Sequence, residues 1–147
     1  MDSVGVPLVA TEFGERYPSI SPDGRWLLYH ANPTGRDEVY VRPFPHVNES
    51  LSQVSTRGGT RARWSRDGRE IYYANGENAL VRVAVVPANG FAVSDQQVLF
   101  SLTGVHDWDL TSDRNRFIVD HDRGGAQRNK LIVVENFFQE LRARAPR

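Results

Sequence analysis

Cysteine is absent from this chain of 147 residues, lysine occurs once, and the formal net charge is zero. The absence of cysteine excludes disulfide bonds, thiolate catalysis and cysteine-bound zinc. Because acidic and basic residues balance, there is no general attraction to nucleic acid or to an anionic membrane. No apolar run approaches the ~18 residues of a membrane span, and the first residues, MDSVGVPLVATEFGER, do not resemble a signal peptide. We therefore expect a soluble chain without nucleic-acid or membrane partners, in a compartment that stays unknown.

A repeated pattern is the strongest positive feature of the sequence. It occurs as YPSISPDGRWLLY, as RARWSRDGREIYY and, in degraded form, as DWDLTSDRNRFIV. The aspartates that mark the three copies, Asp23, Asp67 and Asp113, are 44 and 46 residues apart. A period of about 40–45 residues is typical of propeller blades. The pattern therefore predicts an all-β fold, a partial β-propeller of about three antiparallel blades.

The repeated Asp-Gly pairs have a structural explanation. In Ser21-Pro22-Asp23-Gly24 the serine can bond back to the backbone, proline presets φ, and glycine supplies a positive φ. Such a turn joins two antiparallel strands in a hairpin. We therefore interpret these aspartates as turn residues and not as catalytic or metal-binding groups.

Each copy of the pattern predicts one blade. The last blade is incomplete because a fourth strand is missing and Asn136 begins a pattern typical of a helix, which Pro146 ends. A short apolar run before the first blade predicts a stray outer strand. The predicted units are the stray strand 6–11, blade 1 over 17–56, blade 2 over 60–102, blade 3 over 106–135 and the helix 136–145.

The segment ERYPSISPDGRWLLYHANPTGRDEVYVRPFP resembles the blade repeats of TolB-type (WD40-like) propellers. The VRPFP ending, the GGTRARWSRDGREIYYANG unit and the closing LIVVENFFQELRARAP resemble the C-terminal sensor propeller of some bacterial receptor-like serine/threonine kinases. The resemblance covers roughly Pro7 to Pro146 and implies a periplasmic or extracytoplasmic location for such a receptor. The chain has no kinase motifs, so no phosphotransferase activity follows.

The expected function is therefore non-catalytic. We expect a module for protein–protein interaction or ligand sensing, the C-terminal part of a larger TolB-like propeller linked to a signalling kinase. Nucleophile-elbow, phosphate-loop and dinucleotide motifs are absent, so we expect no enzymatic activity, catalytic residue or cofactor. Two alternatives stay open, a propeller segment associated with a serine oligopeptidase-type hydrolase and a periplasmic TolB-like scaffold.

Recognition is expected on the face where the loops between blades converge, with a protein or a small ligand as partner. A dense group of arginines indicates an anionic ligand near the central channel. Alternatively, these arginines pair with neighbouring carboxylates. The candidate binding residues on this face are Arg16, Tyr17, Arg61, Arg63, Trp64, His106 and Trp108.

One further group of side chains could in principle bind a divalent metal. If the third hairpin turns near Asp113, histidines and aspartates face each other across two strands. The alternative, which we prefer, is that they splay outward and bond to water or arginine, so that no metal is bound. The group consists of His106, Asp107, Asp109, Asp120, His121 and Asp122.

Three blades cannot close a ring, because propellers have about four to eight. Either the chain belongs to a larger propeller, or copies of it assemble. A homodimer would complete a six-bladed ring if each copy lent Val6–Thr11 as the outer strand of its partner's third blade.

Overall fold

A computed structural model describes residues 5–88, 90–111, 116–121 and 130–135. Within these residues the chain is all-β and contains no helix. The described part of the chain therefore has no helix long and apolar enough to cross a membrane. The described strands are β1 (Arg16–Ile20), β2 (Trp26–Ala31), β3 (Glu38–Pro43), β4 (Ser52–Gln53), β5 (Gly59–Trp64), β6 (Glu70–Asn75), β7 (Ala79–Ala88), β8 (Gly90–Val93), β9 (Gln97–Ser101), β10 (Val105–Leu110), β11 (Phe117–His121) and β12 (Lys130–Val134).

The strands form three antiparallel blades in chain order. Blade 1 has the order β1-β2-β3-β4, blade 2 has β5-β6-β7-β9, and blade 3 has β10-β11-β12. The predicted all-β fold class is confirmed, with three blades in the part of the chain that the structure describes. Strand β8 was not predicted; it pairs with the second half of β7, which continues past the blade as a separate hairpin.

The first two marker turns are built alike. In the first, the Gly24 amide donates to the Ser21 carbonyl oxygen at 2.8 Å, and the Ser21 hydroxyl donates to Asp23 at 2.6 Å. In the second, the Ser65 hydroxyl donates to Asp67 at 2.8 Å. Gly24 and Gly68 have φ of 74° and 70°, the left-handed region that glycine adopts without steric cost. The aspartates thus organise the hairpins, as the sequence predicts.

Apolar cores lie between successive blades. The core between blades 1 and 2 includes Leu28, Val41, Ile71 and Val83, all buried, with Trp26 and Trp64 against it. The core between blades 2 and 3 is built from these side chains: Tyr72, Ala74, Leu80, Leu99, Leu102, Trp108, Phe117 and Val119. Because the central strands contribute to both faces of a blade, five consecutive residues of β2, 27–31, are buried.

The N-terminal segment differs from the prediction. Residues 6–11 form no strand, since β1 is the first strand of the chain's described part. Instead Val9 packs against the outer face of blade 1, beside Leu27 and Tyr29. The Gly14 amide donates to the Asn32 side chain at 3.1 Å, and this bond helps to hold the segment as a loop on its own blade. The predicted helix 136–145 lies outside the described residues, as does the turn of the third repeat.

Candidate functional site

The innermost strand of every blade is interrupted near its start, at the same place in blades 1 and 2 and one residue earlier in blade 3. The pairing shifts between Arg16 and Ser19 in β1, between Thr60 and Arg63 in β5, and between Val105 and Asp107 in β10. In β1 and β5 two residues oppose one residue on the partner strand, which is the definition of a bulge. Bulges re-aim side chains and occur frequently beside functional sites.

Two bulge residues have a backbone conformation that large side chains rarely adopt. Tyr17 and Arg61 both have φ of 53°. They are equivalent in the repeat, because each precedes its marker aspartate by six residues. The left-handed region costs a non-glycine residue ~1–2 kcal/mol, and such strain concentrates at functional sites. The coincidence therefore points to the groove into which these residues project.

The bulges of the three blades line one open groove of about 460 Å³. Blade 1 contributes Tyr17 to it, blade 2 contributes Arg61, and blade 3 contributes His106. The full lining is Tyr17, Pro18, Ser19, Arg61, Ala62, Arg63, His106 and Asp107. Side chains from separate repeats therefore meet at one site that no single blade forms.

Arg63 is electrostatically compensated. Its guanidinium lies 3.0 Å from Asp107 and 3.2 Å from Asp109, both on β10. The guanidinium carbon is also 5.2 Å from the centre of the Trp108 ring, within the range of a cation–π interaction. Arg63 thus joins blade 2 to blade 3, and its single positive charge is outnumbered by the two carboxylates.

Arg61 is in a different electrostatic environment. Its guanidinium donates to the backbone carbonyl oxygen of His106 at 2.9 Å and to the side-chain oxygen of Asn78 at 3.4 Å. Both acceptors are neutral, so these bonds orient the guanidinium without cancelling its charge. The result is a positioned cation beside the exposed His106, and planar guanidinium groups bind phosphate and carboxylate oxygens well.

The ring of Tyr17 contacts the ring of a buried histidine. The rings of Tyr17 and His30 have centroids 5.1 Å apart and are tilted by 31°. Burial lowers the pKa of His30 below its ordinary value of 6.5, with the nearby Arg16 adding to the shift and Asp37 opposing it. His30 is therefore neutral at pH 7 and provides an uncharged platform for the exposed Tyr17 ring.

The structure separates the predicted binding residues into two groups. Tyr17, Arg61, Arg63 and His106 line the groove, but their binding role stays a prediction. The other three do not line it: Trp64 packs on the core between blades 1 and 2, Trp108 is buried, and Arg16 borders a second cavity on the outer face of blade 1.

Sequence reasoning missed two features of this site. Asn78, which orients Arg61, lies in the turn between β6 and β7, far from the arginine cluster in the sequence. The bulges also gave no sequence signal, because positive φ was expected at glycine and not at Tyr17 or Arg61. Equal spacing from the marker aspartates was the one available indication that the residues are equivalent.

The possible metal site was expected to place histidines and aspartates opposite each other, and the register does so for only one pair. Asp107 pairs with Asp120, and Val105 pairs with His121. In the structure Asp107 and Asp109 bind Arg63, and among the described residues no group of three metal-ligating side chains is close enough to hold an ion. Asp122 lies outside the described residues.

Comparison with known proteins places the fold among solved propeller-like structures. One similar structure is a protein from Bacteroides uniformis described as a putative 6-phosphogluconolactonase, with a TM-score of 0.55 and 22% identity over 86% of this chain and 37% of that one. Another is a protein from Lactobacillus plantarum, with a TM-score of 0.54 and 19% identity over 86% of this chain and 42% of that one. No protein-family model and no curated protein matches the chain.

These neighbours require a correction. The expectation of a non-catalytic module, and with it the expectation of no enzymatic activity, is overturned because a neighbour carries the name of a hydrolase. At this identity the likeness itself shows the fold alone, an all-β propeller-like architecture. The chain spans less than half the length of the solved structures that it matches.

Proposed function

We propose that this chain forms part of a propeller-type hydrolase that acts on an anionic sugar lactone. The observation that carries the proposal is the convergence of three bulges on one groove, with Arg61 held by neutral acceptors beside His106. The name of the neighbour from Bacteroides uniformis supports the same class of substrate, a phosphorylated sugar lactone. The complete active site would also include groups from blades beyond these three, since the solved neighbours are longer.

The groove residues have chemistry that suits this reaction. Arg61 would bind the phosphate or carboxylate of the substrate and fix its orientation. The His106 imidazole would accept a proton from water, whose oxygen forms a bond to the lactone carbonyl carbon. The ring C–O bond then breaks, and the proton passes to the leaving ring oxygen, so that one water is consumed and one hydroxy acid is formed.

Binding can be tested without turnover. Calorimetric titration with 6-phosphogluconate, the stable product of such a reaction, should give measurable binding, and gluconate should bind more weakly because it lacks the phosphate. Arg61→Gln should lower affinity about tenfold or more, since a charge-assisted hydrogen bond is lost. Arg69→Gln is the matched control, because Arg69 is not part of the groove lining and borders a different cavity. Equal affinities for the two acids would refute the role given to Arg61.

Catalysis is tested by following hydrolysis of 6-phosphogluconolactone against the uncatalysed rate in the same buffer. Loss of a general base typically lowers the rate ~10²–10⁴-fold, so His106→Gln should abolish most of the activity while leaving product affinity nearly unchanged. His46→Gln is the control, because His46 is exposed and borders a different cavity. Rates equal to the uncatalysed reaction for the unmodified protein would reject lactonase activity of this chain.

The relationship to TolB-type blades is a separate proposal, about ancestry. The segment that contains the SPDG turn supports this relationship. The VRPFP segment supports a second one, to kinase sensor propellers. Sequencing the regions that flank this reading frame would test it. A kinase domain upstream would favour the second relationship, and its absence would leave only the general propeller likeness.

A further inference from the structure

Asn78 connects the Arg61 cation of the groove to the chain that leads into blade 3. It lies in the turn between β6 and β7, and its side-chain oxygen accepts from the Arg61 guanidinium at 3.4 Å. Its side-chain nitrogen donates to the Leu102 carbonyl oxygen at 3.2 Å, and its backbone carbonyl oxygen accepts from the Leu102 amide at 2.7 Å. Because the amide nitrogen is turned toward Leu102, the amide oxygen is the atom that faces Arg61.

These bonds belong to a closed network that includes the backbone of His106. Leu102 is fully buried, and its carbonyl oxygen also accepts from the amide of Val105 at 2.9 Å, one residue before His106. The Arg61 guanidinium donates to the His106 carbonyl oxygen at 2.9 Å, which returns the path to its starting point. Asn78 therefore holds the guanidinium of Arg61 in a fixed place relative to the backbone of His106.

The turn that contains Asn78 does not need an asparagine side chain. In the corresponding turn of blade 1, the Gly35 amide donates to the Asn32 carbonyl oxygen at 3.0 Å. In blade 2 the Asn78 amide donates to the Asn75 carbonyl oxygen at 3.0 Å. Gly35 and Asn78 both have a positive φ, 81° and 55°. Glycine adopts this φ without steric cost and asparagine only tolerates it, so the turn alone does not explain a side chain here.

The difference between the two turns matches a difference in the groove. Blade 1, which has Gly35 in its turn, contributes the aromatic ring of Tyr17. Blade 2, which has Asn78 in its turn, contributes Arg61 at the equivalent place in the repeat. The side chain that the turn does not need is thus present in the blade whose bulge carries a cation.

Asn78 can orient Arg61 without cancelling its charge, because an amide is neutral. Within the described residues Arg61 makes no ion pair, whereas Arg63 in the same groove lies 3.0 Å from Asp107. A carboxylate in place of the Asn78 amide would give Arg61 a partner of the kind that Arg63 has. The attraction of Arg61 for an anionic ligand would then be largely offset.

We propose that Asn78 is a positioning residue that makes the groove selective for an anionic ligand. It acts through Arg61, which would bind the phosphate or carboxylate group, and it keeps that cation both uncompensated and fixed beside His106. The inference rests on the anion-binding part of the proposed function and does not depend on the lactone chemistry.

NMR titration with inorganic phosphate at neutral pH, observed at the His106 backbone amide, tests this role. Asn78→Gly keeps the turn and the charge of Arg61 but removes the orienting oxygen, so affinity should fall about threefold. Asn78→Asp keeps that oxygen but adds a negative charge, so affinity should fall by more than about tenfold. Asn75→Asp is the matched control, because it adds the same charge to the same turn while its side chain accepts from the Glu77 and Ala79 amides. The control should change affinity less than about threefold.

The Arg61→Gln variant separates positioning from a merely structural role. In that background Asn78→Asp should weaken phosphate binding by less than about threefold, because the cation through which Asn78 acts is gone. Equal losses for Asn78→Gly and Asn78→Asp, or an undiminished loss in the Arg61→Gln background, would overturn the proposal.

Asn78→Gly also tests the proposal alone, because glycine occupies the equivalent turn of blade 1 and the variant should fold. Unchanged phosphate affinity in this variant, or no phosphate binding by the unmodified chain, would overturn the role given to Asn78. The proposed reaction fails separately: phosphate binding with the expected pattern of losses, but without hydrolysis of 6-phosphogluconolactone, would support Asn78 and reject only the lactonase activity.

Discussion

Glu38 provides the most demanding test of how the blades are joined. Its side chain is buried, and its carboxylate accepts hydrogen bonds from the Arg36 guanidinium and the Gly58 amide, each at 2.9 Å. The Ser55 hydroxyl also donates to it, while accepting from the Val39 amide at 2.8 Å. This network connects β3 with the segment that leads into blade 2. We therefore expect Glu38 to stabilise the junction between the blades.

The expected cost of Glu38→Ala follows from what it leaves behind. The Ser55 hydroxyl and the Gly58 amide would lose a charged acceptor, and each such bond is worth ~1.5–3 kcal/mol. Arg36 is half-exposed and still donates to the Thr56 carbonyl oxygen, so its loss is small. Removing the buried charge returns part of its desolvation energy, and we expect a net loss of about 3–4 kcal/mol. Glu38→Gln keeps the shape and should cost about 1–2 kcal/mol.

Urea unfolding, followed by tryptophan fluorescence and by circular dichroism, measures these values. Glu77→Ala is the control, because Glu77 is exposed and its side chain makes none of these buried bonds. In a double-mutant cycle with Ser55→Ala, the two losses should add to more than the double variant shows, because each change removes the same bond. A loss of less than about 1 kcal/mol for Glu38→Ala, or strict additivity, would refute a cooperative network.

Three further predictions concern the start of β5, a marker turn and the groove. Gly59→Ala should cost about 1–3 kcal/mol in unfolding experiments, because a new Cβ would lie 2.3 Å from the Ser55 hydroxyl oxygen. The hydrogen bond from Ser21 lowers the pKa of Asp23 to about 2. The ionised Asp23 carboxylate therefore contributes its full stabilisation above the ordinary pKa of 3.8, and this contribution is lost as pH falls through about 2. NMR titration of the Asp23 carboxyl should show this midpoint, and Ser21→Ala should move it upward. Arg61→Gly should change stability by less than about 1 kcal/mol, since relief of the strained φ offsets the lost bonds, yet it should abolish 6-phosphogluconate binding; a large loss of stability would contradict a functional reason for the strain.

The parts of the fold that follow from local chemistry were predictable. The Ser–Asp–Gly turns are determined by bonds within five residues, so the hairpins and their registers could be inferred from the repeat. Strand β8 was missed because Pro87 and the Asn89-Gly90 pair are typical of a loop in the sequence, whereas the pairing of β8 depends on the length of β7. The prediction of a strand at 6–11 was wrong because an apolar run indicates that side chains are buried but does not indicate which surface covers them. Val9 packs against Leu27 and Tyr29, and this contact needs no partner strand.

The site was only partly predictable because it depends on differences between repeats. Residues that build the scaffold recur at fixed positions, and their conservation within the chain reveals the fold. The bulges bring a different side chain to the groove from each blade, Tyr17 from the first, Arg61 from the second and His106 from the third, where the bulge lies one residue earlier relative to the marker aspartate. A bulge that recurs while its side chains vary brings chemically different groups to one groove. The strained φ of Tyr17 and Arg61 therefore marks the candidate site more directly than residue type does.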